Sequence, residues 1–180
     1  MSAVSVILVN RAPFLTLWAK VVALRLGRDE ACALTLGRAV AGQTAAAKGK
    51  RLGILEARPA DERQRIETRR SEMRATTVQF MGRTIPCLQT TDGLRALADA
   101  KPIDPHSVRT YLAAKFGEDL PLVEEKLTAL AASVPPAELE ARAMDLYMSI
   151  RPATAGGRAG WGQAGRLDLD AIDRLTARSS

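Results

Sequence analysis

Residues 13–41, PFLTLWAKVVALRLGRDEACALTLGRAVA, decide the fold. Phe14, Leu17, Trp18, Val21, Val22, Leu24 and Leu26 fill one apolar face at helical spacing, broad enough for the helix to be largely buried. Pro13 suits the first turn of that helix and Gly27 its end. Asp29 is placed to cap a second helix, which carries Leu34, Leu36 and Val40. Ala33, Gly37 and Ala41 recur every fourth residue, a small-residue stripe that lets another helix come close. Two adjoining buried helices are therefore expected at the centre of a mainly α-helical protein.

Outward from this pair the pattern changes. Upstream, Val4–Val9 (VSVILV) reads as a short strand. No Lys or Arg precedes it and no small-residue cleavage site follows, which argues against a signal peptide. Downstream, the second helix is expected to fray through Ala45–Ala47 into a basic turn, Lys48, Gly49, Lys50, Arg51. Residues 56–75 hold six Arg and five acids, with little apolar beyond Ile66 and Met73, so a helix there would be mostly surrounded by water. Thr76–Leu88 reads as a hairpin, with Val78 and Phe80 on one arm, Ile85 and Cys87 on the other, and Gly82-Arg83 near the turn. Pro86 puts its second arm at a sheet edge, and the Val4–Val9 strand is available to join it. Asp92–Ala98 reads as a short helix. Asp104-Pro105 caps a helix ending at Phe116-Gly117, and two more follow over residues 120–134 and 137–150. A Gly-rich loop, Ala153–Arg166, leads to a last short helix over 167–175. The expected fold is a compact helical bundle with a small β-hairpin or short antiparallel sheet. It divides into a basic part, residues 1–90, and a helical packing or dimerisation part, residues 91–180, unless both form one domain.

Charge narrows the function classes. The chain has 180 residues, with 26 Lys plus Arg against 20 Asp plus Glu, a net +6. Residues 1–55 carry eight basic and two acidic residues, whereas residues 76–151 carry eight and ten, so the excess is an N-terminal property. Such a layout suggests a half that faces a polyanion, although solvated helix faces would read the same way. No stretch approaches the roughly 20 apolar residues a membrane span needs. Cys32 and Cys87 form no CxxC and His106 is the single histidine, so a metal site has no ligand set and a reducing cytoplasm is the expected setting. Aromatic residues are 4%, too few for the stacking platforms of single-strand binders. No cofactor motif survives inspection. GRAVAGQT at 37–44 lacks the lysine and preceding strand of a phosphate loop. Gly160, Gly162 and Gly165 spell GxGxxG, but 15 residues remain after them, too few for a dinucleotide-binding unit. The ordinary reading of that loop is one in which Trp161 anchors on the core, with Arg158 and Arg166 flanking it. His106 beside Asp104 and Ser107 reads as a helix-cap neighbour, not a catalytic base, so no catalytic residue is assigned.

Two frames, Ala23 with Gly27 and Ala113 with Gly117, have the alanine-to-glycine spacing of a helix-turn-helix. The order two helices, Arg-rich helix, hairpin also resembles a winged-helix DNA-binding domain. In that arrangement Arg63, Arg65, Arg69, Arg70 and Arg74 lie on the helix presented to duplex DNA, Arg83 tips the hairpin, and Lys48, Lys50 and Arg51 add phosphate contacts. Glu62, Glu67 and Glu72 interrupt the patch. The leading expectation is a small cytoplasmic DNA-binding protein, of regulator or nucleoid-associated type. The alternative is a non-catalytic interaction or structural module, with Ala33, Gly37 and Ala41 as a homo-oligomer interface. A third is a ligand pocket near Trp161 and the Gly-rich loop.

Overall fold

The two helices of residues 13–41 form the centre of the protein, in a computed structural model that describes residues 6–180. After a strand β1 (Val6–Asn10) come α1 (Arg11–Arg25) and α2 (Glu30–Arg51). Val4 and Ser5 of the expected first strand lie outside the described residues. Phe14, Leu17, Trp18 and Val22 are fully buried, as their spacing requires. Gly27 takes φ +99° and stops α1, and the Asp29 carboxylate accepts from the Cys32 N–H at 2.9 Å to cap α2.

The pair packs as an antiparallel hairpin. A Cβ at Gly37 would lie 2.5 Å from the Thr16 carbonyl oxygen, so the stripe lets the backbones of α1 and α2 touch. Ala33 and Ala41 are also buried within the one chain. The stripe therefore faces α1, and nothing of it is left to face a second copy. Close packing along one hairpin also replaces the helix-turn-helix crossing expected at Ala23 and Gly27.

α2 does not fray. It continues unbroken to Arg51, since Ala, Gln and Lys are strong helix formers and Lys48, Lys50 and Arg51 oppose the negative end of its dipole. α3 (Ala60–Glu72) follows and buries no residue. Then comes an antiparallel sheet in the order β2 (Thr76–Phe80), β3 (Arg83–Thr90), β4 (Gly93–Ala98), β5 (Lys101–Pro102). The expected hairpin is β2–β3, with Met81 and Gly82 at positive φ in its turn. β3 is an inner strand, contrary to the edge expected from Pro86. Its ladder to β4 starts at Cys87, so the missing N–H of Pro86 falls just outside it.

The short helix expected over Asp92–Ala98 is instead β4. Seven residues cannot sustain a helix alone, and tertiary partners win: the Ala96 N–H donates to Thr35 Oγ1 of α2 at 3.0 Å, and Ala96 and Leu97 are buried. The sheet lies against α2. α4 (Pro105–Phe116), α5 (Leu120–Ala132) and α6 (Pro136–Ile150) then wrap α1 and α2, with Gly117 at φ +56° ending α4 as expected. Trp18 Nε1 donates to the Ala143 carbonyl at 2.9 Å and ties α1 to α6. The nearly buried Lys20 ammonium meets Glu124 at 2.5 Å, giving that acid a structural task that its sequence context did not reveal. Finally β6 (Ala164–Asp168) pairs antiparallel with β1, Val9 opposite Gly165, and α7 (Leu169–Ser179) is capped by Asp168. β1 thus joins the end of the chain and not the hairpin. No described helix is long and apolar enough to cross a membrane.

Candidate functional site

The arginines expected on a DNA-reading helix sit on a helix that stands off the core. Ile66 and Met73 are only half-buried, and α3 makes no extensive contact with α1 or α2. The helix before the hairpin in a winged-helix domain packs across the first two helices; α3 has the order of that domain but not its packing. Two arginines hold it in place. Arg70 Nε donates to the Asp99 carbonyl at 2.7 Å, and Arg58 pairs with the Asp99 carboxylate at 2.6 Å. Arg70 is thereby turned to the β4–β5 turn. Arg63, Arg65, Arg69 and Arg74 are exposed, with Arg65 3.7 Å from Asp61. Arg83 is half-buried at the start of β3, opposite Phe80. The end of α2 leaves Lys50 and Arg51 exposed, whereas Lys48 is half-buried. Of the nine basic residues, Lys48, Arg70 and Arg83 are thus partly withdrawn from solvent and the other six are exposed.

Lys48 belongs to a different constellation. A cavity of about 290 Å³ opens between the start of α1, the C-terminal half of α2, the end of α6 and residues 160–163 of the Gly-rich loop. Leu15, Ala41, Met144, Tyr147 and Trp161 give it apolar walls. Arg11, Lys48 and Arg151 also line it. None of these three cations lies within 4.0 Å of a carboxylate among the described residues. Arg11 uses its Nε on the Pro152 carbonyl at 2.8 Å, while the side chains of Lys48 and Arg151 make no hydrogen bond among the described residues. Thr44 also lines the cavity, but its hydroxyl is buried away from that space and has no hydrogen-bond partner.

Local forces explain how the fold assembles this group. Asn10 ends β1 and its side-chain amide donates to the Gly162 carbonyl at 2.8 Å, which places Arg11 beside the loop. Arg151 follows the last turn of α6. The loop is pinned from outside by Arg158, whose Nε and Nη2 donate to the carbonyls of Leu52 and Gly53 at 2.9 and 3.2 Å. Trp161 lies over Gly49, where any Cβ would come within 2.9 Å of its ring. Gly160 and Gly165 would each drive a Cβ into a carbonyl oxygen of the loop, of Ala155 and Ala153. Gly160 and Gly165 thus serve close backbone packing and Gly162 a positive φ of +69°, while Trp161 is half-buried over the end of α2 and does not join the hydrophobic core on which it is expected to anchor.

Electrostatics records the crowding. Lys48 is held below its ordinary lysine range, first by burial and then by repulsion from Arg11, Arg151 and Arg51. Burial and Arg151 act on Arg11 in the same sense. Burial raises the Tyr147 phenol, and Arg11 and Arg151 pull it partly back. Elsewhere the chemistry is quiet. His106 is exposed and its N–H completes the Asp104 cap. Cys32 and Cys87 are free and buried, and burial with Cys32 pushes the Cys87 thiol up to about 11. Among the described residues no three of His, Cys, Asp and Glu come together to hold a metal.

Of the residues expected to bind, only Lys48 belongs to the cavity. Arg11 and Arg151 went unnoticed in the sequence because 140 residues separate them and no spacing rule links them. The signal that did exist was Trp161 in a Gly-rich loop. No family model, curated protein or solved structure matches the chain.

Proposed function

We propose that this protein binds a small organic anion in the cavity beneath Trp161. One observation carries the proposal: Arg11, Lys48 and Arg151 converge on a largely apolar cavity, whose other polar lining residues Asn10, Thr44 and Gln163 are uncharged, with no described carboxylate to neutralise them. Partly buried cations that repel one another raise the energy of the empty state, and an anionic occupant removes that cost. Apolar walls with a few convergent polar groups are the ordinary make-up of a ligand pocket. The test is thermal unfolding at fixed ionic strength against a panel of aryl and alkyl carboxylates and phosphates. A binder raises the midpoint in proportion to RT ln(1 + [L]/Kd). Arg151→Met should abolish the rise without lowering the unliganded midpoint, since a repelling charge is removed. A flat response to every anion defeats the proposal. Two free buried thiols fit a cytoplasmic setting.

A second reading, duplex DNA binding, keeps one observation in its favour. α3 spends none of its thirteen residues on the core and presents Arg63, Arg65 and Arg69 to solvent, with Arg74 just beyond it. Against it, Asp61, Glu62, Glu67 and Glu72 cancel the four arginines within the helix. Titration against fluorescent duplex at two salt concentrations decides. Neutralising Arg63, Arg69 and Arg74 must flatten the salt dependence; an unchanged slope removes α3 from any such interface.

A further inference from the structure

Resting on the organic-anion reading, we propose that the cavity selects a phosphomonoester carrying a compact apolar or aromatic group over a carboxylate of the same shape. Charge count is the first reason. Three cations meet without a described carboxylate between them. A monoanion would leave two of these positive charges uncompensated in a partly desolvated space, and a dianion leaves one.

Hydrogen-bonding capacity is the second. Arg11 spends only Nε on the protein, so both of its terminal nitrogens remain to donate. The Arg151 fork and the Lys48 ammonium add further donors that the described protein leaves unused. Two guanidinium forks and an ammonium exceed what the two oxygens of a carboxylate can accept. The three terminal oxygens of a phosphomonoester, each a strong acceptor, come closer to matching them.

The body of the ligand is set by the walls. Leu15, Met144, Tyr147 and Trp161 offer apolar and aromatic surface, and a volume of about 290 Å³ has room for a single ring or a short chain. A free inorganic ion would leave those walls in contact with water, so the apolar group should add affinity.

Calorimetric titration of the whole chain at pH 8 and constant ionic strength tests this with three probes: phenyl phosphate, benzoate and inorganic phosphate. Phenyl phosphate should bind at least about tenfold more tightly than either of the others. Lys48→Met should reduce the preference for phenyl phosphate over benzoate towards unity, since it removes the charge that needs the second negative charge. Its unliganded melting temperature should not fall, because a repelling charge has gone. Benzoate binding as tightly as phenyl phosphate overturns the selection but leaves the organic-anion reading standing. Inorganic phosphate binding as tightly as phenyl phosphate overturns the role of the apolar walls. Failure of both phenyl phosphate and benzoate to bind overturns this inference, and failure of the whole anion panel overturns the reading beneath it.

Discussion

Lys48 concentrates the chemistry of the cavity in one side chain. Its pKa in the folded state lies below the ordinary 10.5, first through burial and then through Arg11, Arg151 and Arg51. Between the folded value and 10.5 the unfolded chain therefore holds more protons than the folded one. Its contribution to stability is unfavourable below that window and improves as pH rises through it. Lys48→Met should accordingly be more stable than the parent at pH 8, and the gain should shrink as pH approaches 10.5. Urea unfolding of both proteins across this range checks it; a gain independent of pH would mean that packing, and not charge, sets the difference. Lys48 also shows how a binding residue hides. It stands beside Lys50 and Arg51 in a basic run, and only its position on the helix separates a cavity-lining ammonium from two solvent-exposed cations.

The hairpin of α1 and α2 is the element on which the rest is built. At Gly37 a Cβ would meet the Thr16 carbonyl oxygen at 2.5 Å and the Lys20 nitrogen at 3.1 Å, both backbone atoms that cannot move alone. Gly37→Ala should therefore destabilise the protein by about 1–3 kcal/mol through overpacking, although alanine is the better helix former by about 1 kcal/mol. The denaturation midpoint measures this, and a stabilised variant would show that the helices can part freely. α3 is the opposite case. Its charge pattern made an exposed helix legible, and so it is. Its anchorage was not legible, because Arg58 and Arg70 meet Asp99, some thirty to forty residues later, and the acceptor from Arg70 is a carbonyl that no side-chain pattern encodes. β4 is a strand where the sequence suggests a helix for a related reason: over so short a segment Leu94, Ala96 and Leu97 do not fix the period, and Thr35 of α2 and the neighbouring β3 decide which is used.

At the scale of the whole molecule, the chain closes on itself. β1 and β6 come from opposite ends, and their pairing brings Asn10 and Arg11 against the Gly-rich loop. The cavity exists only because of that closure. Apolar periodicity, helix caps and stop glycines are local, so the sequence by itself determined the buried helix pair of 13–41, the helices of 105–150, the β2–β3 hairpin and the exposed character of α3. Strand partners, the burial of the Ala33–Gly37–Ala41 stripe within one chain and the meeting of Arg11, Lys48 and Arg151 were decided by the tertiary structure alone. Each depends on residues far apart in the chain, whose approach is set by how helices and strands pack and not by the spacing of residues along any one of them.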